Sequence, residues 1–172
     1  SGDPAAQGTP HARRAFVFVG RFVAKKNLAE LIAGYAEYCR EAGPSPHRLI
    51  LVGSGPEEPR LRELIAAHGL GERVDFPGFL DPEQVAAMLS RALALVLPSA
   101  VEQWGLVVNE ALAFGLPVIV STQVGARDVL VRNLVNGYVV EPGSTTGLAR
   151  AMAALSGDAT RWRRMAEASH ER

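Results

Sequence analysis

Cysteine is nearly missing: Cys39 stands alone among 172 residues, which excludes an internal disulfide and a small disulfide-stapled scaffold. Its place near the apolar side of an expected helix reads as a small core residue before a reactive thiol. A charge excess is lacking too. The 18 basic residues are matched by 18 acidic ones, so the chain has no basic surplus with which to attract a nucleic acid, and no nucleic-acid partner is expected. No apolar run approaches the ~20 residues that cross a bilayer, and no charged-apolar-small leader opens the sequence, so no membrane segment is expected. His11, His47, His68 and His170 are dispersed and read as surface residues, and no Asp-x-Asp pair occurs, so no metal site is expected. Gly-Lys-Ser/Thr and Gly-x-Ser-x-Gly are both absent, which excludes Walker-type phosphate binding and a serine-hydrolase elbow. Lysine is the last scarcity: among the 18 basic residues only Lys25 and Lys26 are not arginine. Their adjacency marks a point that needs a compact ammonium, unless it is chance.

What is present is enough apolar material for one core. A hydrophobic content of 48% in 172 residues fits one globular domain and is too little for two of ordinary size. Residues 1–14 are small, polar and rich in Pro and Gly, which reads as a linker or expression remnant, so the folded domain is expected over 15–172. Strands are expected at 15–19, 48–52, 74–76, 93–97, 118–120 and 138–140, with helices between them. Asn27 with Glu30, and Asp81-Pro82-Glu83-Gln84, have the spacing of capping boxes at two helix starts. A short helix is expected near 126–131, a longer one from Thr145 to Leu155, and a polar one over 159–172 whose apolar side, around Trp162 and Met165, wants a partner outside the chain. Apolar strands alternating with helices predict an α/β fold: a Rossmann-like, doubly wound, mostly parallel sheet with helices on both faces.

Chemistry concentrates where strands end. Gly20-Arg21 closes the first strand and Lys26 precedes the first helix; a guanidinium and an ammonium at one strand end suit a diphosphate, although surface ion pairing would use the same residues. In the stretch from Pro98 to Ser121, Glu102 and Glu110 flank Gly105. Glu102 falls in a loop beyond a buried strand, and Glu110 about one and a half turns into the next helix at ~3.6 residues per turn. The amides of Gly105, Leu106 and Val107 would open that helix and offer an anion site. Glu110 can accept from the vicinal hydroxyls of a ribose, and Glu102 can hold a second sugar or steady positive charge on it. Each acid alone reads equally as a solvated carboxylate, and the spacing also allows a paired general acid and base. Gly53-Ser54-Gly55, with Asp75 downstream, imitates a dinucleotide fingerprint but fails at its third glycine, where Glu58 stands beside Glu57 and repels pyrophosphate.

In order, VGRFVAKKN at 19–27, LVGSGPE at 51–57, VDFPGFL at 74–80, EQWGLVVNEALAFGLPVIVS at 102–121 and NGYVVEPG at 136–143 resemble the carboxyl-terminal domain of GT-B glycosyltransferases of the large retaining group called family 4 or group 1. The resemblance spans about Phe16 to Leu155. It implies that Arg21 and Lys26 neutralise a donor diphosphate, that amides of Gly105, Leu106 and Val107 meet phosphate and sugar, and that Glu110 holds the donor ribose. Glu102 would be the catalytic, sugar-orienting residue, and the base would pack near Phe79 and Leu80. A nucleotide-diphosphate sugar is then the substrate, with no cofactor and no metal, and transfer proceeds with retention.

Two departures limit this carry-over. Gln103-Trp104 stands where the family often has Pro-Phe, and only Val124-Gly125 matches a frequent double glycine. The amino-terminal, acceptor-binding domain is expected as a missing partner, so the isolated chain should bind donor without turning it over. Cytoplasmic placement is expected, with any membrane attachment left to that missing domain. A GT-B nucleotide-sugar epimerase half and a noncatalytic nucleotide-sugar module are the rival readings.

Overall fold

The structure is a computed structural model that describes residues 9–99, 106–121 and 136–170. Six strands form one sheet: β1 (Phe16–Val19), β2 (Leu49–Val52), β3 (Val74–Gly78), β4 (Ala94–Leu97), β5 (Val118–Ser121) and β6 (Gly137–Val140), in the order β3-β2-β1-β4-β5-β6. Every pairing is parallel, so the sheet is wholly and not merely mostly parallel. This order reverses direction between β1 and β4, the point at which doubly wound folds open a crevice beyond the strand carboxyl ends. β1 sits between two partners, Phe16 opposite Leu49 on one side and Ala94 on the other.

The helices are α1 (Leu28–Glu41), α2 (Glu58–Ala67), α3 (Pro82–Ser90), α4 (Leu106–Ala113), α5 (Thr145–Gly157) and α6 (Ala159–His170). β4 and β5 are buried at every position, which requires cover on both faces of the sheet and explains why Ala, Leu, Val and Ile fill them up to Ser121 at the end of β5. On the helical side α1 lies against α2 and α5, while α6 lies against α4 and α5. The contact between α1 and α5 is close enough to demand glycine. A Cβ on Gly34 would stand 2.9 Å from Leu148 Cβ and 3.0 Å from the Thr145 carbonyl oxygen.

The two capping boxes differ. Asp81 accepts from the Gln84 amide at 2.9 Å, and Gln84 Oε1 accepts from the Asp81 amide at 2.9 Å, as the spacing predicts. Asn27 has no side-chain cap bond; its backbone is left-handed at φ 61 and ψ 35, because it also closes a 3-10 turn over Ala24–Lys26. An N-cap side chain needs extended backbone to reach the third amide, and Asn27 is turned away from that geometry.

Three other expectations are corrected. Of the leading segment, 9–14 packs on the domain: a 3-10 turn at His11–Arg13 leads to Arg14, which is 1% exposed. The Arg14 guanidinium donates to the carbonyls of Thr9, Ser90 and Ala92. His47 is half-buried and not a surface residue, with Nδ1 donating to the Arg14 carbonyl at 2.6 Å. The apolar side of α6 is satisfied inside the chain. Trp162, Met165 and Ala166 are buried, and Trp162 Nε1 donates to the Leu93 carbonyl at 2.6 Å. The short helix expected near 126–131 lies outside the described residues.

Candidate functional site

All parallel strands deliver their following loops to one pole of the sheet, so the residues after β1, β2 and β3 meet there. They border a cavity of about 350 Å³ lined by Gly20, Arg21, Gly53, Ser54, Phe79 and Leu80, together with Val19 and Val52 from the strand ends. Arg21 is exposed at its rim. Phe79 is 80% exposed, the one large hydrophobic among the described residues that is left open to solvent. An exposed phenyl ring beside a guanidinium gives the cavity an apolar wall and a cationic edge, the pairing that a base and its phosphates require.

Lys26 is carried to the same end by the 3-10 turn that precedes α1. Its Cε lies 3.8 Å from where a Cβ on Gly20 would stand, so the ammonium arm runs back toward the Gly20-Arg21 bend. Lys25, its neighbour, is exposed, whereas Lys26 is half-buried. The structure thus brings Arg21, Phe79 and Leu80 around one cavity and sets Lys26 beside it.

The second group of expected residues lies on and before α4. Leu106 is the first residue of that helix, Val107 is half-buried and Glu110 is exposed one turn further on. β4 pairs with both β1 and β5, and α4 follows β4, so its amino end belongs to the pole that carries Arg21. Glu102 and Gly105 lie outside the described residues, as do Gln103 and Trp104. Near β4, the Ser121 hydroxyl donates to the Ser99 carbonyl at 2.6 Å, which ties the end of β5 to the chain leaving β4.

Sequence reasoning passed over one part of this site. Gly53 and Ser54 fall in the LVGSGPE motif and in a failed dinucleotide fingerprint, and neither reading gives them a role in the site, yet they wall the cavity. Their signal was positional: a loop leaving the carboxyl end of a strand next to β1 must face the same pole. Asp75, the acid that completed the imitation fingerprint, stands opposite Ile50 early in β3. Its carboxylate takes both Arg48 Nε at 3.0 Å and Arg48 Nη2 at 2.8 Å, an ion pair outside the cavity.

Among the described residues no group of three His, Cys, Asp or Glu side chains could hold a metal ion. Cys39 is half-buried and its thiol pKa is raised, chiefly by desolvation, which suits a packed residue and opposes thiolate chemistry. No helix among the described residues is long and apolar enough to cross a membrane.

The chain was also compared with known proteins. The family model described as "Glycosyl transferases group 1" matches residues 3–172. The alpha-D-kanosaminyltransferase of Streptomyces kanamyceticus is 34% identical over 155 residues, covering 90% of this chain and 39% of that enzyme. Sucrose-phosphate synthase from Thermosynechococcus elongatus superposes with a TM-score of 0.83 at 33% identity, covering 98% of this chain and 42% of that one. Anabaena HepE in complex with UDP superposes with a TM-score of 0.81 at 28% identity, covering 93% of this chain and 43% of that one.

Proposed function

The chain belongs to the group 1 glycosyl transferases, as the carboxyl-terminal domain of a GT-B architecture, and from that premise we propose that it holds the nucleotide-sugar donor for a retaining, metal-independent hexosyl transfer. The observation that carries the reading is the cavity shared by Arg21, Phe79 and Leu80. The base packs on Phe79 and Leu80. The diphosphate runs from there toward Arg21, Lys26 and the first amides of α4 around Leu106 and Val107, where unpaired N–H groups and the helix dipole favour an anion. Glu110 accepts from the ribose hydroxyls, and Glu102 is the residue that orients the transferred sugar.

In the reaction, the bond from the anomeric carbon to the diphosphate oxygen breaks while a bond from that carbon to the acceptor oxygen forms on the same face. The acceptor proton passes to a phosphate oxygen of the leaving group. Charge builds on the departing diphosphate, so preorganised cations aimed at it stabilise the transition state more than the ground state. Arg21 and Lys26 perform that task and leave no step for a metal.

The chain spans about two fifths of the relatives it matches, 39% of the kanosaminyltransferase. In this reading the acceptor side of the cleft belongs to an amino-terminal domain outside these residues. The isolated chain binds donor and does not turn it over, and cytoplasmic placement goes with the same reading. Uridine nucleotides are the first donors to test, because HepE was crystallised with UDP. Calorimetric titration with UDP-, GDP- and ADP-sugars should give binding for one base class, weakened about tenfold or more by Arg21→Ala. Failure of every nucleotide sugar to bind the wild-type chain would sink the proposal.

A further inference from the structure

We infer that the Gly53-Ser54-Gly55 loop is a positioning device for Arg21, fixing the backbone from which its guanidinium reaches a donor diphosphate. The inference rests on the donor-site reading above and extends it to residues that touch no phosphate. Parallel pairing of β1 with β2 ends formally at Val19 and Val52, but the lacing continues past both strands. The Gly20 amide donates to the Val52 carbonyl at 3.0 Å, the Phe22 amide to Ser54 at 2.9 Å, and the Glu57 amide to the Phe22 carbonyl at 3.0 Å. The Gly53 amide in turn donates to Gly78 at 2.9 Å, joining the loop to the one that presents Phe79.

Arg21 is therefore an exposed residue between two immobilised ones. Phe22 is held at its amide and its carbonyl, and its ring is 0% exposed, edge-on to Phe76 at 5.9 Å. The approach of the two loops is close enough that only glycine fits. A Cβ on Gly53 would stand 1.9 Å from the Gly20 oxygen, and Gly53 has φ +133, a backbone that other residues rarely adopt. A Cβ on Gly55 would stand 2.6 Å from the Phe22 oxygen and 2.7 Å from its nitrogen. Both obstacles are backbone and cannot rotate away, so a methyl at Gly55 must push the Phe22 backbone, and with it Arg21, off its seat. A cation held in advance binds a diphosphate without the ordering cost that a free loop would incur.

The test compares three single variants on the whole chain, with UDP and uridine as probes and urea unfolding as the stability measure. Arg21→Ala removes the cation, Gly55→Ala displaces its support, and Gly34→Ala overpacks the contact between α1 and α5, away from the cavity. Gly55→Ala should weaken UDP about tenfold, as Arg21→Ala does, while uridine affinity changes less than about twofold; Gly34→Ala should lower stability and leave UDP affinity within about twofold. If Gly55→Ala behaves like Gly34→Ala while Arg21→Ala weakens UDP, the positioning role is overturned and the donor site stands. Equal losses of UDP and uridine in Gly55→Ala also overturn it, since the damage is then to the cavity at large. If Arg21→Ala leaves UDP binding unchanged, the donor-site reading falls and this inference with it. Should Gly55→Ala not fold, amide exchange in the wild-type chain without ligand decides: the Phe22 and Glu57 amides should already be protected before UDP is added, and exchange at either that is fast without UDP and slowed only by it overturns the proposal.

Discussion

Arg14 is a guanidinium in the core, stacked 4.8 Å from the centroid of the Trp162 ring and donating to three carbonyls. Its burial was illegible in the sequence, because arginine is among the residues least often buried and its polar neighbours look like a linker. The fold uses it where the carbonyls of Thr9, Ser90 and Ala92 converge, a meeting that becomes visible only when 9–14, the end of α3 and the approach to β4 have been brought together. His47 belongs to the same cluster, its ring 5.2 Å from that of His11. Desolvation lowers the His47 pKa, the bond to the Arg14 carbonyl opposes that shift, and His11 adds to it. The folded value thus lies below the unfolded one of about 6.5. Stability from this group is complete above the unfolded value and declines as pH falls from there toward the folded value, since the unfolded chain takes the proton first. Urea midpoints measured at pH 7.5, 6.5 and 5.5 should fall across the lower interval. In His47→Gln that part of the fall should shrink, and an unchanged profile would refute the assignment.

At the scale of elements, the strands and helices were legible because their cause is local. β4 and the first three residues of β5 are unbroken apolar runs that must be covered on both faces, and most of the breaks between elements carry Gly, Pro or Asp. The capping motifs show where that legibility stops. Asp81 and Asn27 each precede a plausible third-position partner, yet only Asp81 has the extended backbone, φ −75 and ψ 169, from which the side chain can cap. Asn27 is committed to closing the turn that delivers Lys26, and sequence spacing carries no trace of that prior obligation. The two sites should respond oppositely to one change. Asp81→Gly should cost about 0.3 kcal/mol of unfolding free energy, since glycine leaves the Gln84 amide without its side-chain acceptor, whereas Asn27→Gly should be neutral or stabilising because glycine adopts φ > 0 freely. Urea denaturation of both variants checks this. A clear loss in Asn27→Gly would mean that the side chain performs a task its backbone conformation denies it.

For the whole molecule, the sequence carried the fold class but neither the strand order nor the closure of the core. Strand order depends on which crossover lands where. It is this order that places the loops after β1, β2 and β3 side by side and turns Arg21, Phe79 and Leu80 from separate motif residues into the lining of one cavity. Closure was misjudged at α6. The Trp162 side was expected to want an outside partner, yet its indole reaches the Leu93 carbonyl, Met165 and Ala166 are buried, and the Ser169 hydroxyl donates to the Asn136 carbonyl at 3.2 Å. Pattern alone shows that a helix has an apolar face but not what covers it. Because α6 also lies against α4, the helix that bears Val107 and Glu110, it links core stability to the site. Trp162→Phe keeps an aromatic ring but leaves the buried Leu93 carbonyl without its donor, which should cost about 1–3 kcal/mol in urea unfolding. Ending the chain after Asp158 removes the whole cover and should abolish the cooperative transition and UDP binding together. A truncated chain that unfolds at the original midpoint would show α6 to be an appendage. One that unfolds cooperatively but no longer binds UDP would confine its role to supporting α4.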